Sequence, residues 1–187
     1  MNYNDLAREA HENAVAHGWW DGERPFAEII GLIHSELSEA LEEYRDGNHL
    51  EEIYFSCSLD RRACPSCINF PNFELCKFDK PEGIPVELAD VIIRIADYFG
   101  RQGMVLSDIR HHYSPKQKDL MQLIADCHSH LSKAYRKPRR RYKYLKIVVV
   151  EIMSFYNRQG LLGVIEKAIH RKMAYNKTRP HKHGKKI

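Results

Sequence analysis

The sequence predicts an all-α fold, and three observations support that prediction. Apolar residues recur at intervals of three and four through nearly the whole chain, the spacing of one face of a helix. Gly18 and Pro85 lie at the ends of such segments, where helices commonly stop or start. No segment shows a competing alternation of apolar and polar residues, the pattern of a half-buried strand.

Six helical segments follow one another along the chain. The first ends near Gly18, and the second has an apolar stripe that runs from Ile29 to Tyr44. The third starts after Pro85 and ends at Gly100 or Gly103. The segment 47–82 is rich in Pro, Asn and Cys and is predicted to be irregular. The first and second helices are predicted at residues 3–16 and 25–45, and the last three at 115–136, 142–158 and 161–175. A basic tail follows at 180–187.

Two pairs of carboxylates carry most of the chemical information. Glu36 and Glu39 lie in the second helix, and Glu87 and Asp90 lie in the third. Residues three apart share one face of a helix, so each helix presents two acids side by side. These four residues are the candidate metal ligands and catalytic residues.

The third helix is predicted to be buried, because apolar residues cover nearly all of its circumference. Glu87, Asp90, Arg94 and Asp97 form one narrow charged stripe on it. Buried carboxylates repel one another, so they need a compensating cation, which is either a metal ion or a paired base. Such a stripe is typical of a functional site.

The composition allows one domain of 187 residues with a full core. The charge is very uneven: residues 1–100 carry 8 Lys/Arg and 20 Asp/Glu, whereas residues 101–187 carry 21 and 5. This polarity favours an anionic ligand, or else the two halves attract each other within one fold. Neither a signal peptide nor a membrane span is evident, so a cytoplasmic location without membrane partners is expected.

Two parts of the chain resemble each other, which predicts a duplicated helical hairpin. Residues 32–45 align with 123–136 at 5 of 14 identical positions, and residues 88–103 align with 145–160 at 6 of 16. The two offsets differ by 34 residues, which makes the Cys-containing segment an insertion in the first copy. The second copy, within 115–160, instead turns through KPRRR.

The second hairpin is predicted to be degenerate. The positions equivalent to the four acids are Cys127, His130, Tyr144 and Ile147. None of these is a carboxylate, so a hard cation has no site there. One active site per chain follows.

These residues resemble the motif of the MazG-like all-α nucleoside triphosphate pyrophosphohydrolases, a Glu-x-x-Glu helix followed by a Glu-x-x-Asp helix. The resemblance extends to GWW at 18–20, KPEGIPVELADVIIR at 80–94 and KMAYNKTRPHKHGKK at 172–186. Ser35 stands where the family often has a second Glu. The insertion and the degenerate hairpin also depart from the minimal family pattern.

The resemblance implies a MazG-like helical bundle that hydrolyses (deoxy)nucleoside triphosphates to the monophosphate and pyrophosphate, with sanitation of the nucleotide pool as its role. The sequence does not reveal which base is preferred. The resemblance also implies Mg²⁺, or Mn²⁺ in its place, held by the four acids. Lys172, Asn176 and Arg179 match its nucleotide-contacting C-terminal motif. Related proteins assemble their bundle from two chains, so this chain is expected to be a monomer with an internal pseudo-dimer, or a homodimer.

Four cysteines form a separate pattern within the insertion. Cys57, Cys64, Cys67 and Cys76 follow C-x6-C-x2-C-x8-C, and the central CPSC has the spacing of a zinc knuckle. The outer spacings fit no standard zinc finger. Structural zinc and unliganded thiols are the two alternatives.

Other function classes explain fewer of these features. A nucleic-acid-binding helical module with a zinc-stabilised loop would use the basic segment 136–143, but it leaves the acidic stripe unexplained, and a nucleic acid is therefore not the expected partner. A ferritin-like di-iron bundle requires Glu-x-x-His pairs, and here each Glu is followed by a second acid.

Overall fold

Six α-helices make up most of the part of the chain that the structure describes, which confirms the predicted all-α fold. The computed structural model describes residues 1–57, 79–106 and 118–184. Within these ranges, no helix is both long enough and apolar enough to cross a membrane. The helices are α1 (Tyr3–Ala16), α2 (Phe26–Arg45), α3 (Ile84–Arg101), α4 (Leu120–Arg136), α5 (Arg141–Arg158) and α6 (Leu162–Asn176), with 3₁₀ turns at Pro138–Arg140 and His181–Gly184.

The observed helix ends follow local capping chemistry. The α3 helix starts at Ile84 with Pro85 in its first turn. Proline is well tolerated there, because the N–H groups of the first turn have no acceptor within the helix. The α4 helix starts later than its predicted start at residue 115. Asp119 caps it by accepting a hydrogen bond from the backbone N–H of Gln122, whose side chain bonds back to Asp119. This reciprocal capping box fixes the helix start.

The insertion is not irregular at its two ends, where the sequence-based prediction is wrong. Strands β1 (Tyr54–Cys57) and β2 (Asp79–Glu82) pair antiparallel, with Tyr54 opposite Glu82. Each strand has only four residues, too few to produce a recognisable alternating pattern. Pro81 lies in β2, and proline is tolerated where a strand has an unpaired edge. This ladder places Glu82 directly before α3.

The α3 helix is the centre of the bundle. It packs against α1, α2, α5 and α6, and nearly all of its residues are buried. This confirms the prediction made from its apolar circumference. Its charged stripe therefore faces other helices, and the neighbours decide how those charges are compensated.

A close approach of α1 and α3 is set by Gly100. A Cβ atom at this position would collide with the carbonyl oxygen of Ala7 and with Cβ of His11. The missing side chain lets the two backbones come together. His11 is thereby held beside the stripe of α3.

The chain folds as two consecutive helical hairpins, α2–α3 and α4–α5. They pack together through α2 against α4 and α3 against α5. The second hairpin turns at Pro138–Arg140, as predicted, whereas the first contains the insertion. Whether the hairpins arose by duplication stays a prediction from the sequence.

Two histidines join α2 and α4 where the hairpins meet. The imidazoles of His34 and His128 stack nearly parallel, with ring centroids 4.9 Å apart. Their Nδ1 atoms are 2.6 Å apart, so one Nδ1–H donates to the lone pair of the other. Burial lowers the pKa of both imidazoles, and the neighbouring His34 lowers that of His128 further. A doubly protonated pair would direct two N–H groups at each other.

This pair should make the fold sensitive to acid. An unperturbed imidazole has a pKa of about 6.5. As the pH falls below that value, the unfolded chain takes up protons that the native pair resists, so the free energy of unfolding decreases. Urea unfolding at pH 7.5 and 5.5 should show that the free energy of unfolding decreases less in His128→Gln than in the wild type. The exposed His170 provides the control, because His170→Gln should show the same decrease as the wild type. If His170→Gln lowers the acid sensitivity as much as His128→Gln does, the pair does not have this role.

Candidate metal centre and adjoining cleft

The charged stripe of α3 meets a different partner at each turn of the helix. Arg94 reaches α2, where its Nη2 and Nε lie 2.6 and 2.8 Å from Oε1 of Glu36. Glu36 is only 5% exposed, and this ion pair confirms the expectation that Arg94 bonds a carboxylate within the protein. The pair fixes the orientation of the Glu36 carboxylate.

The Asp90 carboxylate is paired with a lysine of α6. Nζ of Lys172 lies 2.7 Å from Oδ2 of Asp90, and Lys172 is only 2% exposed. Lys172 was expected to contact phosphate, but in this structure it neutralises Asp90. Its charge remains next to Glu87 as well, since Glu87 is among the acids that favour its protonated form.

Three of the four predicted metal ligands lie together. One carboxylate oxygen from each of Glu36, Glu39 and Glu87 lies within 4.8 Å of those of the other two. We call these residues the acidic triad. Glu36 and Glu87 are buried, whereas Glu39 is exposed and accepts a hydrogen bond from the hydroxyl of Ser35. The triad is therefore open to solvent on the side of Glu39.

Glu87 is the member of the triad whose charge is least compensated. It is 2% exposed, and within the described residues it makes no hydrogen bond or ion pair. Burial and the neighbouring Asp90 and Glu36 carboxylates raise its pKa to about 8, against the opposing effects of Lys172 and Lys80. Burial also raises the pKa of Glu36, although Arg94 opposes it. These shifts reflect excess negative charge in a buried place.

The donor set suits a hard divalent cation. Oxygen-only ligands at this spacing are those that Mg²⁺ and Mn²⁺ accept. Two cationic side chains face four carboxylates in the site, which leaves two negative charges to be balanced by a divalent ion. The four acids are Glu36, Glu39, Glu87 and Asp90, and the two cations are Arg94 and Lys172.

Glu43 lies on the same helix face as Glu36 and Glu39, and Asp97 on that of Asp90, so the sequence makes both candidates for a further ligand. The structure places them apart from each other. Asp97 accepts hydrogen bonds from Nδ1 of His11 and Nε1 of Trp20, both at 2.9 Å. It therefore anchors the loop after α1. The alternative from the sequence was that Glu43, like Glu42, is a solvated residue at the helix end. Instead Glu43 is half-buried, accepts a hydrogen bond from Tyr54, and lies within the same 4.8 Å limit of Glu82 and Glu87.

A narrow cleft of about 70 Å³ adjoins the metal centre. Asp90 and Arg94 belong to its wall, so it is continuous with the acidic site. Trp19 lines the cleft, whereas Trp20 packs against the core and bonds Asp97. The two tryptophans thus have different roles. The remaining residues of the wall come from α1, the connection between α1 and α2, α3 and the chain around α6: Ala10, Asn13, Ala14, Arg24, Ile93, Asp97, Asn176 and Arg179.

The C-terminal motif divides between the metal centre and this cleft. Asn176 and Arg179 line the cleft, but Lys172 does not belong to its wall. Oδ1 of Asn176 is buried, and no donor among the described residues bonds it. Such an acceptor needs a partner to avoid a desolvation penalty. The guanidinium of Arg179 lies over the ring of Tyr175, 5.6 Å from its centroid.

The equivalent positions in the second hairpin form no carboxylate cluster. Cys127 is fully buried, and the rings of His130 and Tyr144 stack with centroids 6.2 Å apart. Ile147 is half-buried. These positions provide packing and one aromatic contact, consistent with a hairpin that supports the bundle.

The zinc hypothesis falls mostly on residues that are not described. Cys64, Cys67 and Cys76 lie outside the described residues, and Cys57 is placed only as the last residue of β1. Structural zinc therefore stays a prediction.

Sequence reasoning missed the part played by Glu82 and Lys80. Both lie on β2, where they form an ion pair of 2.7 Å, and Glu82 joins Glu43 and Glu87. The signal was present in KPEG directly before α3. It could not be interpreted without the strand pairing that turns this segment toward α2.

No protein-family profile, curated protein or solved structure matches this chain.

Proposed function

We propose that this protein is a Mg²⁺-dependent pyrophosphohydrolase that converts (deoxy)nucleoside triphosphates to the monophosphate and pyrophosphate. The observation that carries this proposal is the acidic triad from two helices, which adjoins a cleft lined by Asp90, Arg94 and Arg179. Sanitation of the nucleotide pool is the corresponding role. Mn²⁺ would serve in place of Mg²⁺.

The residues of the site divide the task. Glu36, Glu39 and Glu87 would hold the metal ion, while Arg94 orients Glu36 and Lys172 holds Asp90. When bound, the ion would neutralise phosphate charge and activate the reaction by Lewis-acid chemistry. Metal binding at neutral pH would displace the proton that a Glu87 with a pKa of about 8 retains.

The cleft would supply contacts for the rest of the nucleotide. Arg179 has a guanidinium, which suits phosphate oxygens. Trp19 lines the cleft with the guanidinium of Arg24 5.3 Å from its ring centroid, and a base would stack against this aromatic and cationic pair. The unsatisfied Oδ1 of Asn176 would accept a hydrogen bond from an amino or hydroxyl group of the ligand.

A panel of (d)NTPs assayed for pyrophosphate tests this function. We expect release of pyrophosphate that requires Mg²⁺ and stops with EDTA, with one or a few bases preferred. A lack of release from every nucleotide, with tight binding of RNA or DNA instead, would contradict the proposal and favour the nucleic-acid-binding alternative.

A further inference from the structure

A second group of carboxylates adjoins the acidic triad through Glu87. One oxygen from each of Glu43, Glu82 and Glu87 lies within 4.8 Å of those of the other two. Glu43 comes from the end of α2 and Glu82 from β2. Glu87 thus belongs to two groups of acids, one with Glu36 and Glu39 and the other with Glu43 and Glu82.

From this arrangement we infer a second divalent-cation subsite, formed by Glu43, Glu82 and Glu87. It would accept Mg²⁺ or Mn²⁺, because its donors are all carboxylate oxygens. Glu87 would bridge this subsite and the acidic triad. The inference deepens the proposed function and rests on it for the role of the second ion, though not for its binding.

The two outer acids are held in place by hydrogen bonds. The amide of Asn48 donates to Glu43 at 2.6 Å, and the hydroxyl of Tyr54 donates to the same carboxylate at 3.0 Å. Ser56 donates to Glu82 at 2.8 Å. A carboxylate has about four lone-pair sites, so these bonds leave acceptor capacity on both. Partners of this kind orient metal ligands and are common in metal sites.

Glu87 is the independent sign that a ligand belongs here. It is a carboxylate with 2% exposure, and no described residue donates a hydrogen bond to it or pairs with it. A buried carboxylate without a partner carries a large desolvation cost. Its carboxylate lies within 4.8 Å of both groups of acids, so an ion in either subsite would supply the missing partner.

The local charge also favours a cation. Lys80 pairs with Glu82 at 2.7 Å and compensates one of three carboxylates. Lys172 is already bonded to Asp90. Lys80 alone therefore does not balance the negative charge of Glu43, Glu82 and Glu87, whereas a divalent ion would balance the remaining two charges.

The order of residues along α3 indicates what the second ion would contact. The cleft is lined by Asp97, Arg94 and Asp90, the acidic triad uses Glu87, and Glu82 lies before the helix begins. A nucleoside in the cleft would thus direct its phosphate chain toward the start of α3. The second ion would bind the terminal phosphates, which leave as pyrophosphate.

Titration of EDTA-treated protein with Mn²⁺ alone tests the subsite. Calorimetry should give about two Mn²⁺ per chain for the wild type, since paired metal sites are the usual arrangement for phosphate chemistry. Glu82→Gln and Glu43→Gln should each give about one. Two variants are used so that a folding defect in either one, seen by circular dichroism, does not decide the outcome.

Glu42→Gln is the matched control, because Glu42 is exposed beside Glu43 and pairs with Arg45. It should retain about two Mn²⁺ per chain. Binding of a single ion by the wild type, or unchanged titrations of Glu43→Gln and Glu82→Gln, would overturn the inference. Because these titrations involve no turnover, a lack of pyrophosphate release would overturn the proposed function but not this subsite.

Discussion

Replacing Glu39 with Gln should slow pyrophosphate release by about 10³-fold, equivalent to about 4 kcal/mol of transition-state stabilisation. The change removes one charged oxygen donor from the acidic triad. Its structural cost should be small, because Glu39 is exposed and bonds only the hydroxyl of Ser35 among the described residues. The melting temperature should therefore differ from that of the wild type by only about a few degrees, the shift expected for a surface substitution.

Steady-state kinetics at saturating Mg²⁺ measures this effect. Glu42→Gln is again the control, since it removes an exposed acid from the same helix without touching the triad. It should retain full activity. A Glu39→Gln enzyme with turnover within about tenfold of the wild type would show that the triad does not hold the catalytic ion.

Replacing Lys172 with Met should produce the largest loss of stability. Lys172 and Asp90 form a buried ion pair, with side chains 3% and 13% exposed. Removing one partner leaves a buried carboxylate uncompensated, which typically costs about 3–5 kcal/mol. Glu87 and Glu36 also lose a neighbouring positive charge, so the remaining acids repel one another more strongly.

Chemical denaturation in metal-free buffer measures that loss, and a second change provides the control. Lys172→Met combined with Asp90→Asn removes both charges, so part of the lost free energy of unfolding should return. If the single change costs less than about 1 kcal/mol, the pair does not stabilise the fold. If the double variant is no more stable than the single one, repulsion is not the cause.

The sequence was sufficient for those features that depend on one helix at a time. The periodic apolar positions predicted the helices, and the spacing of Glu87, Asp90 and Arg94 predicted a buried charged stripe. An internal carboxylate partner for Arg94 was also expected, because a buried stripe with one Arg and several acids favours internal pairing, but the sequence did not identify Glu36 as that partner.

The rest depended on contacts between distant segments. Lys172 lies 82 positions after Asp90 in the sequence, and only the packing of α6 on α3 brings them together. Its match to the nucleotide-contacting C-terminal motif of the MazG-like proteins suggested phosphate binding instead. Glu82 likewise became part of the site only through the short β1–β2 ladder, whose strands are too brief to detect from composition or periodicity.

Hydrolysis of a nucleoside triphosphate in H₂¹⁸O tests the central claim most directly. If the nucleoside binds in the cleft beside the acidic triad, as we propose, the phosphate attached to it would lie nearest the metal centre. Mass spectrometry should therefore find the ¹⁸O atom in the monophosphate and none in the pyrophosphate, with the two products formed in equal amounts. Label in the pyrophosphate, release of orthophosphate with a diphosphate, or a lack of Mg²⁺-dependent hydrolysis would contradict the account.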